Sequence, residues 1–178
     1  MKNRSQIVLA VIFIVLGVSV RFAPHVWNFA PVAAIALAAS AYLGLAYSVA
    51  IIFAIMILSD ISLGFYEWQI MLAVYASFLA SALIGLALRK NKTVLKIAGA
   101  SIASSLVFFF ATNFAVWQFS GMYSNTFAGL EACFIAALPF FRGTFFGDLF
   151  FSAFFFTVFE FALRFVSSQS SKKISVTY

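Results

Sequence analysis

Residues 31–61 read PVAAIALAASAYLGLAYSVAIIFAIMILSDI, and Asp60 is the only charged residue among them. As a single helix this stretch of about 31 residues would be about 46 Å long, whereas membrane hydrocarbon is about 30 Å thick. Gly44 lies near its middle. We therefore expect a turn within residues 42–47 that separates two tilted membrane helices.

The whole chain has the composition of an integral membrane protein. Hydrophobic residues are 65% of its 178 residues and charged residues 9%, whereas soluble domains are about half apolar and a quarter charged. Because a span needs about 20 apolar residues, we predict an all-α fold with six transmembrane helices. The predicted spans are 6–20, 31–43, 45–61, 66–88, 94–112 and 144–165, within one domain over residues 1–178 that ends in a flexible tail at about 167–178.

Basic residues gather at three places, and these predict the orientation. Lys2 and Arg4 precede the first span, residues 89–96 follow the fourth, and Arg164 and Lys172 follow the sixth. Cytoplasmic loops carry the excess of Lys and Arg, so we expect both termini in the cytoplasm of a bacterium and the chain in its inner membrane. The net charge of +6 then reflects orientation and attraction to membrane lipids, and we expect no nucleic-acid partner.

A short apolar segment precedes the last span. Residues 131–140 are too few to cross the bilayer, and Pro139 lies at their end. We predict a re-entrant or interfacial half-helix there. Such a segment leaves backbone groups unpaired unless protein or a watery cavity covers them, so it favours an outward-facing pocket.

Polar side chains cluster at the outer ends of the predicted spans. Polar groups inside a membrane are costly and often functional, so we expect a substrate site there. For the aromatic residues the alternative is an interfacial belt; for Asp60 it is a helix cap, and for Asp148 a structural pair. The predicted site residues are Asn28, Asp60, Asn113, Trp117, Tyr123, Arg142 and Asp148.

Small residues recur every four positions in the fourth span. Ala73, Ser77, Ser81 and Gly85 would form a smooth seam on one helix face, and such seams let membrane helices approach closely. The stripe predicts internal packing. The alternative is a docking surface for a partner membrane protein.

Motifs for catalysis or metal binding are not found in the sequence. There is no HExxH or GxSxG pattern, and one Cys (Cys133) and one His (His25) are too few for a familiar metal site. We therefore expect no enzyme, no catalytic residue, no metal and no cofactor.

Several blocks of the chain resemble a family of small bacterial membrane proteins. That family has a domain-of-unknown-function label and is described as transport proteins. The resemblance extends over about Arg21 to Glu160 and implies transport without naming a substrate. The blocks that carry it are residues 28–31, 59–60, 112–117, 123, 129–130, 138–141 and 147–148.

The architecture is also distantly similar to the S components of energy-coupling factor vitamin transporters. These bind a vitamin between outer loops and dock on a transmembrane coupling subunit through an Ala-x-x-x-Ala pattern on the first helix. The first span here has a single Ala, Ala10, so the chain departs from the family at that point. The resemblance implies a small-molecule substrate and makes a coupling subunit a candidate partner.

These observations favour a protein that takes up a vitamin-like or metabolite-like small molecule from an outward-facing pocket. The alternative is a structural membrane protein of the rod-shape morphogenesis type, which binds protein partners. Convergence of the polar residues on a cavity would favour the transporter. Polar residues spread apart would favour the structural protein.

Overall fold

The computed structural model describes residues 3–23 and 28–175, with side chains described up to residue 163. Regular secondary structure in these ranges is entirely helical, which confirms the all-α class. In chain order the helices are α1 Asn3–Phe22, α2 Val32–Tyr42, α3 Leu45–Leu63, α4 Trp68–Ala87, α5 Val94–Phe119 and α6 Phe127–Ser175.

Five of these helices are long and apolar enough to cross a membrane. They are α1, α3, α4, α5 and the part of α6 from Phe127 to Leu163. Helix α2 has 11 residues, so it is about 16 Å long and cannot cross the hydrocarbon as a helix alone. The described chain is therefore a helical membrane protein with five helices of spanning length around a shorter one.

Helix α2 is the core of the bundle. Every residue from Val32 to Ala41 is at most 5% exposed, so other parts of the protein cover α2 on all its faces. Its many Ala side chains allow neighbouring backbones to come close. The hydroxyl of Ser48 in α3 donates to the carbonyl of Ala36 at 2.8 Å, which ties α3 to this core.

The predicted turn between the second and third helices is confirmed at Leu43 and Gly44. Gly44 has φ of 102°, a backbone conformation that is costly for residues with a Cβ atom. Helix α2 ends before it and α3 begins directly after it. The chain reverses there, at the end of the bundle that we call the lysine end because Lys92 also lies there, above the ring of Tyr42.

Helix α6 corrects the predicted half-helix at residues 131–140. The segment is the beginning of α6, which continues through Pro139 without a break. A proline inside a helix removes one hydrogen bond and crowds the carbonyl four residues earlier, and membrane helices tolerate this when side chains and neighbouring helices compensate. The predicted tail at 167–178 overlaps the last turns of α6, and its flexibility stays a prediction.

Two sets of contacts give the direction of α6. The thiol of Cys133 donates to the Asn113 carbonyl at 3.4 Å, and the rings of Phe141 and Phe109 lie 4.6 Å apart. Contacting residue numbers rise in α6 as they fall in α5, so these two helices are antiparallel. Helix α6 runs parallel to α2.

The parallel arrangement of α2 and α6 is clear at both of their ends. Gly147 packs so closely on Phe29, just before α2, that a Cβ atom on Gly147 would lie 3.2 Å from the Phe29 Cα. At the lysine end the Tyr42 hydroxyl donates to Glu160 at 2.7 Å. Both helices therefore run from the opposite end of the bundle, which we call the cavity end, to the lysine end.

The stripe of small residues on α4 faces the core. Ser77 and Ser81 are at most 1% exposed, and Gly85 abuts α2 so closely that a Cβ atom there would lie 2.8 Å from the Leu37 Cα. Two backbones are in contact, and no flexible side chain lies between them. The lack of a side chain at Gly85 sets the distance between α2 and α4.

The variant Gly85→Ala should lower the free energy of unfolding by about 1–3 kcal/mol, the usual cost of overpacking a core. The matched control is Gly99→Ala in α5, because a Cβ atom at Gly99 meets no atom within 4 Å. Thermal unfolding of the two purified variants measures the difference. Equal stability of Gly85→Ala and the wild type would mean that α2 and α4 can move apart without cost.

Candidate functional site

Asp60, near the end of α3, is held by two side chains from other helices. It is 1% exposed, and Arg21 of α1 forms an ion pair with its Oδ1 at 2.6 Å. The Tyr75 hydroxyl of α4 donates to its Oδ2 at 2.9 Å. A buried carboxylate needs such partners, so Asp60 is a charged junction between α1, α3 and α4.

Asp148, in α6, has a different environment. It is 2% exposed, and its Oδ2 lies 2.6 Å from the hydroxyl oxygen of Ser105 in α5. Among the described side chains, the only ion pair is that of Arg21 with Asp60. Asp148 therefore has a hydroxyl partner but no cationic one.

A cavity lies between these two carboxyl groups at the cavity end of the bundle. Its volume is about 270 Å³, and we call it the polar cavity. Apolar side chains such as Met56 and Phe108 form most of its wall. The polar side chains that line it are Arg21, Asn28, Tyr66, Thr144 and Asp148.

A second cavity of about 350 Å³ adjoins the first. Asn28, Val74, Phe108 and Thr144 line both, so the two spaces share a wall. The second cavity adds Asn113 and Tyr123 to the accessible polar groups. Ligand pockets commonly occupy about 300–1,000 Å³ with a mostly apolar lining and a few polar groups. Taken together, the two adjoining cavities, which we call the joined cavities, fit that description.

Four predicted site residues line the joined cavities: Asn28 lines both, Asp148 the first, and Asn113 and Tyr123 the second. Asp60 lines neither cavity but binds Arg21, which lines the first. The structure therefore brings four of the seven predicted residues into the cavity linings and a fifth, Asp60, into contact with a lining residue. Their role in substrate binding stays a prediction.

Like Asp60, Trp117 and Arg142 do not line either cavity, so the structure does not bring all seven predicted residues to one cavity lining. The Trp117 indole donates to the Ser124 carbonyl at 3.0 Å and thus braces the connection between α5 and α6. Arg142 is exposed. It precedes Asp148 by six residues, which is a rotation of about 240° around a helix, and so it lies on another face of α6.

Three further cavity residues, Arg21, Tyr66 and Thr144, are not among the predicted site residues. A single cation at the end of an apolar span, away from the basic clusters, is the signal that could have indicated Arg21. Burial and the nearby Asp60 raise the pKa of the Tyr66 hydroxyl to about 12, so Tyr66 stays neutral and can donate a hydrogen bond.

The backbone conformation at position 28 favours an asparagine. The φ of Asn28 is 58°, in the left-handed region where Asn is enriched among residues with a side chain. Its carbonyl accepts a hydrogen bond from the Ala30 N–H at 3.0 Å. This turn carries the Asn28 side chain to the wall that the two cavities share.

Comparison with known proteins places the chain in a family. The model of DUF6580, a family of unknown function, matches residues 1–171. This chain is a DUF6580 protein. No curated protein and no solved structure matches it. Family membership agrees with the resemblance to an uncharacterised family and leaves the question of activity to the site itself.

Removing Arg21 alone from the ion pair should lower the free energy of unfolding more than removing the charges of both Arg21 and Asp60. Arg21→Met leaves the buried Asp60 carboxylate without its cation, and breaking a buried pair in this way costs about 3–5 kcal/mol. The double variant Arg21→Met with Asp60→Asn should recover part of that loss, because no uncompensated charge remains. Unfolding of the single and double variants in detergent measures both. A double variant no more stable than Arg21→Met would contradict this account of the junction.

Proposed function

We propose that this DUF6580 protein binds a small molecule in the joined cavities and takes part in its uptake. The observation that supports it is the polar cavity, where Arg21, Asn28 and Asp148 meet beside apolar walls. Charged and amide groups are costly at such a depth in a membrane protein. Their convergence on one space is the arrangement that a transporter requires.

The lining indicates the chemistry of the ligand. Phe78 and Phe108 offer apolar contact, and Asn28 and Asn113 offer amide groups that both donate and accept hydrogen bonds. Arg21 has 19% of its side chain exposed, so its guanidinium can reach a ligand oxygen without leaving Asp60. We infer a vitamin-like or metabolite-like molecule with an apolar or aromatic body and several hydrogen-bonding groups.

The proposal includes six passes through a bacterial inner membrane, with both termini in the cytoplasm. Its support is the path of α2, which runs from Phe29 beside Gly147 to Tyr42 beside Glu160 and so covers the same depth as that part of α6. The non-helical residues before α2 supply the length that the helix lacks. The lysine end carries Arg89 and Lys92, and the positive-inside rule assigns it to the cytoplasm. The cavities then open to the outside.

A cavity-filling variant tests ligand binding. Ala30 lines the polar cavity and is only half-buried, so Ala30→Phe should occupy the space without disturbing the core. Ala128→Phe is the matched control, because Ala128 is exposed and lines neither cavity. Small molecules that remain bound through purification are released by denaturation and identified by mass spectrometry.

We expect the same molecule from the wild type and from Ala128→Phe, and at least a tenfold smaller yield from Ala30→Phe. A tenfold change corresponds to about 1.4 kcal/mol of binding free energy. A molecule recovered equally from all three proteins would contradict binding in the polar cavity. Recovery of a membrane protein partner instead of a small molecule would favour the structural alternative.

Cysteine labelling tests the orientation. In a Cys133→Ser background, an impermeant maleimide added to intact cells should label Met122→Cys, because Met122 is 70% exposed and lies beyond the cavity-end terminus of α5. Lys90→Cys at the lysine end should react only after the cells are opened. The reverse pattern would place the cavities on the cytoplasmic side and exclude uptake from an outward-facing site.

A further inference from the structure

Two buried carboxyl groups in this bundle have opposite environments. Asp60 has a guanidinium and a phenol as partners, which stabilise its charge. Asp148 is just as buried, but among the described side chains it has the Ser105 hydroxyl alone as a partner. An ionised carboxylate buried without a cation is so unfavourable that such a group usually takes up a proton instead.

The hydrogen bonds around Ser105 also favour a protonated Asp148. Its hydroxyl oxygen lies 3.1 Å from the Ser101 carbonyl and 2.6 Å from Asp148 Oδ2. A hydroxyl has one hydrogen, and a carbonyl and a carboxylate can only accept. Both contacts are full hydrogen bonds when Ser105 donates to Ser101 and the carboxylic acid of Asp148 donates to Ser105.

The elements packed around Asp148 offer no other cation. Helix α2 contributes the apolar Val32 and Ala33 to the polar cavity, and α5 contributes Phe108. Across the cavity the ionisable groups are Tyr66, which stays neutral, and Arg21, which is bound to Asp60.

The ionisable groups of α6 itself are also remote from Asp148. Arg142 is exposed on another face of the helix. Glu160 lies twelve positions further, about 18 Å along the axis. Within the described part of the chain, a proton is therefore the available counter-charge for Asp148.

Asp148 can exchange this proton with water on the cavity side. It lines the polar cavity together with Asn28 and Leu63, and both of these are exposed. The cavity thus has a solvent-facing rim and the acid at its inner wall. A group in this position meets whatever ligand enters the cavity.

Hydroxyl groups continue from Asp148 toward the lysine end. Because α5 and α6 are antiparallel and Ser105 lies against Asp148, the next turn of each helix brings Ser101 level with Ser152. Four buried hydroxyls have no hydrogen-bond partner among the described residues, those of Ser40, Ser101, Ser104 and Ser152.

A groove of about 650 Å³ lies beyond these serines at the lysine end. Lys92, Thr157 and Glu160 line it, and Ser40 lies on α2 two residues before Tyr42, the partner of Glu160. Asp148 of the polar cavity and Glu160 of the groove therefore lie on one helix, about 18 Å apart along its axis.

We propose that Asp148 carries an exchangeable proton that couples ligand uptake to a proton gradient. The carboxylate accepts a proton from water in the polar cavity. The O–H bond of the acid then breaks, and the proton is released to water toward the lysine end, which restores the carboxylate. This inference rests on the proposed function, because it names the ion that moves with the ligand of that cavity.

Infrared spectroscopy of the purified full-length protein tests the protonation of Asp148 without any ligand. At neutral pH we expect a carboxylic-acid C=O band that shifts in D₂O. The band should be absent from Asp148→Asn, which keeps the size of the side chain. It should be retained in Asp60→Asn and in Glu131→Gln, an exposed carboxyl of α6 that serves as the fold-neutral control.

Two outcomes of the infrared experiment overturn the proposal. One is the absence of an acid band that depends on Asp148. The other is a band that appears only when choline replaces Na⁺ at equal ionic strength, because Asp148 would then hold sodium. Neither outcome bears on whether the joined cavities bind a molecule, which the Ala30→Phe experiment decides separately.

Proton flux tests whether Asp148 carries a proton through the bundle. The protein is reconstituted in liposomes that contain a pH-sensitive dye, and a potassium diffusion potential drives proton entry. We expect flux through the wild type and Glu131→Gln, and at least tenfold slower flux through Asp148→Leu. Equal flux through Asp148→Leu and the wild type would overturn the proposal, whatever the infrared result.

Discussion

The packing of helix α2 is the constraint on which the rest of this structure depends. Water provides no driving force between helices in lipid, so association relies on close backbone contact. Helix α2 supplies Ala on most of its faces, and α4 meets it with Gly85 against the backbone of Leu37. Because the centre of the bundle is so narrow there, the surrounding helices are held at fixed positions. The cavity between their ends is a consequence of that arrangement.

The two buried aspartates show how one residue type takes two roles. Asp60 lies where α1, α3 and α4 meet, and Arg21 with Tyr75 makes it part of the framework. Asp148 lies where α6 faces the polar cavity, and its hydrogen-bond partner among the described side chains is Ser105. The first carboxylate stabilises the charge of a cavity residue, and the second is itself in the cavity wall. Position relative to neighbouring helices, and not residue type, separates the structural acid from the candidate functional one.

Much of the candidate site could be predicted because polar residues in an apolar chain are conspicuous. Asn28, Asn113 and Asp148 stood out for that reason, and they line the joined cavities. Trp117 was expected in the same cavity but does not line it. Its indole donates to the Ser124 carbonyl instead, a contact that the sequence cannot show. Arg21 was missed because its partner Asp60 lies on another helix, and such a pairing leaves no local pattern.

The sequence by itself determined the membrane class, the helical fold and the break at Gly44, since each follows from local properties: hydropathy, period and the backbone freedom of glycine. The tertiary structure alone decided that α2 is buried on every face, and that Pro139 lies within one continuous helix. It also decided that Asp60, and not Asp148, pairs with Arg21. These outcomes depend on groups far apart in the chain, and their contacts form only when the helices pack.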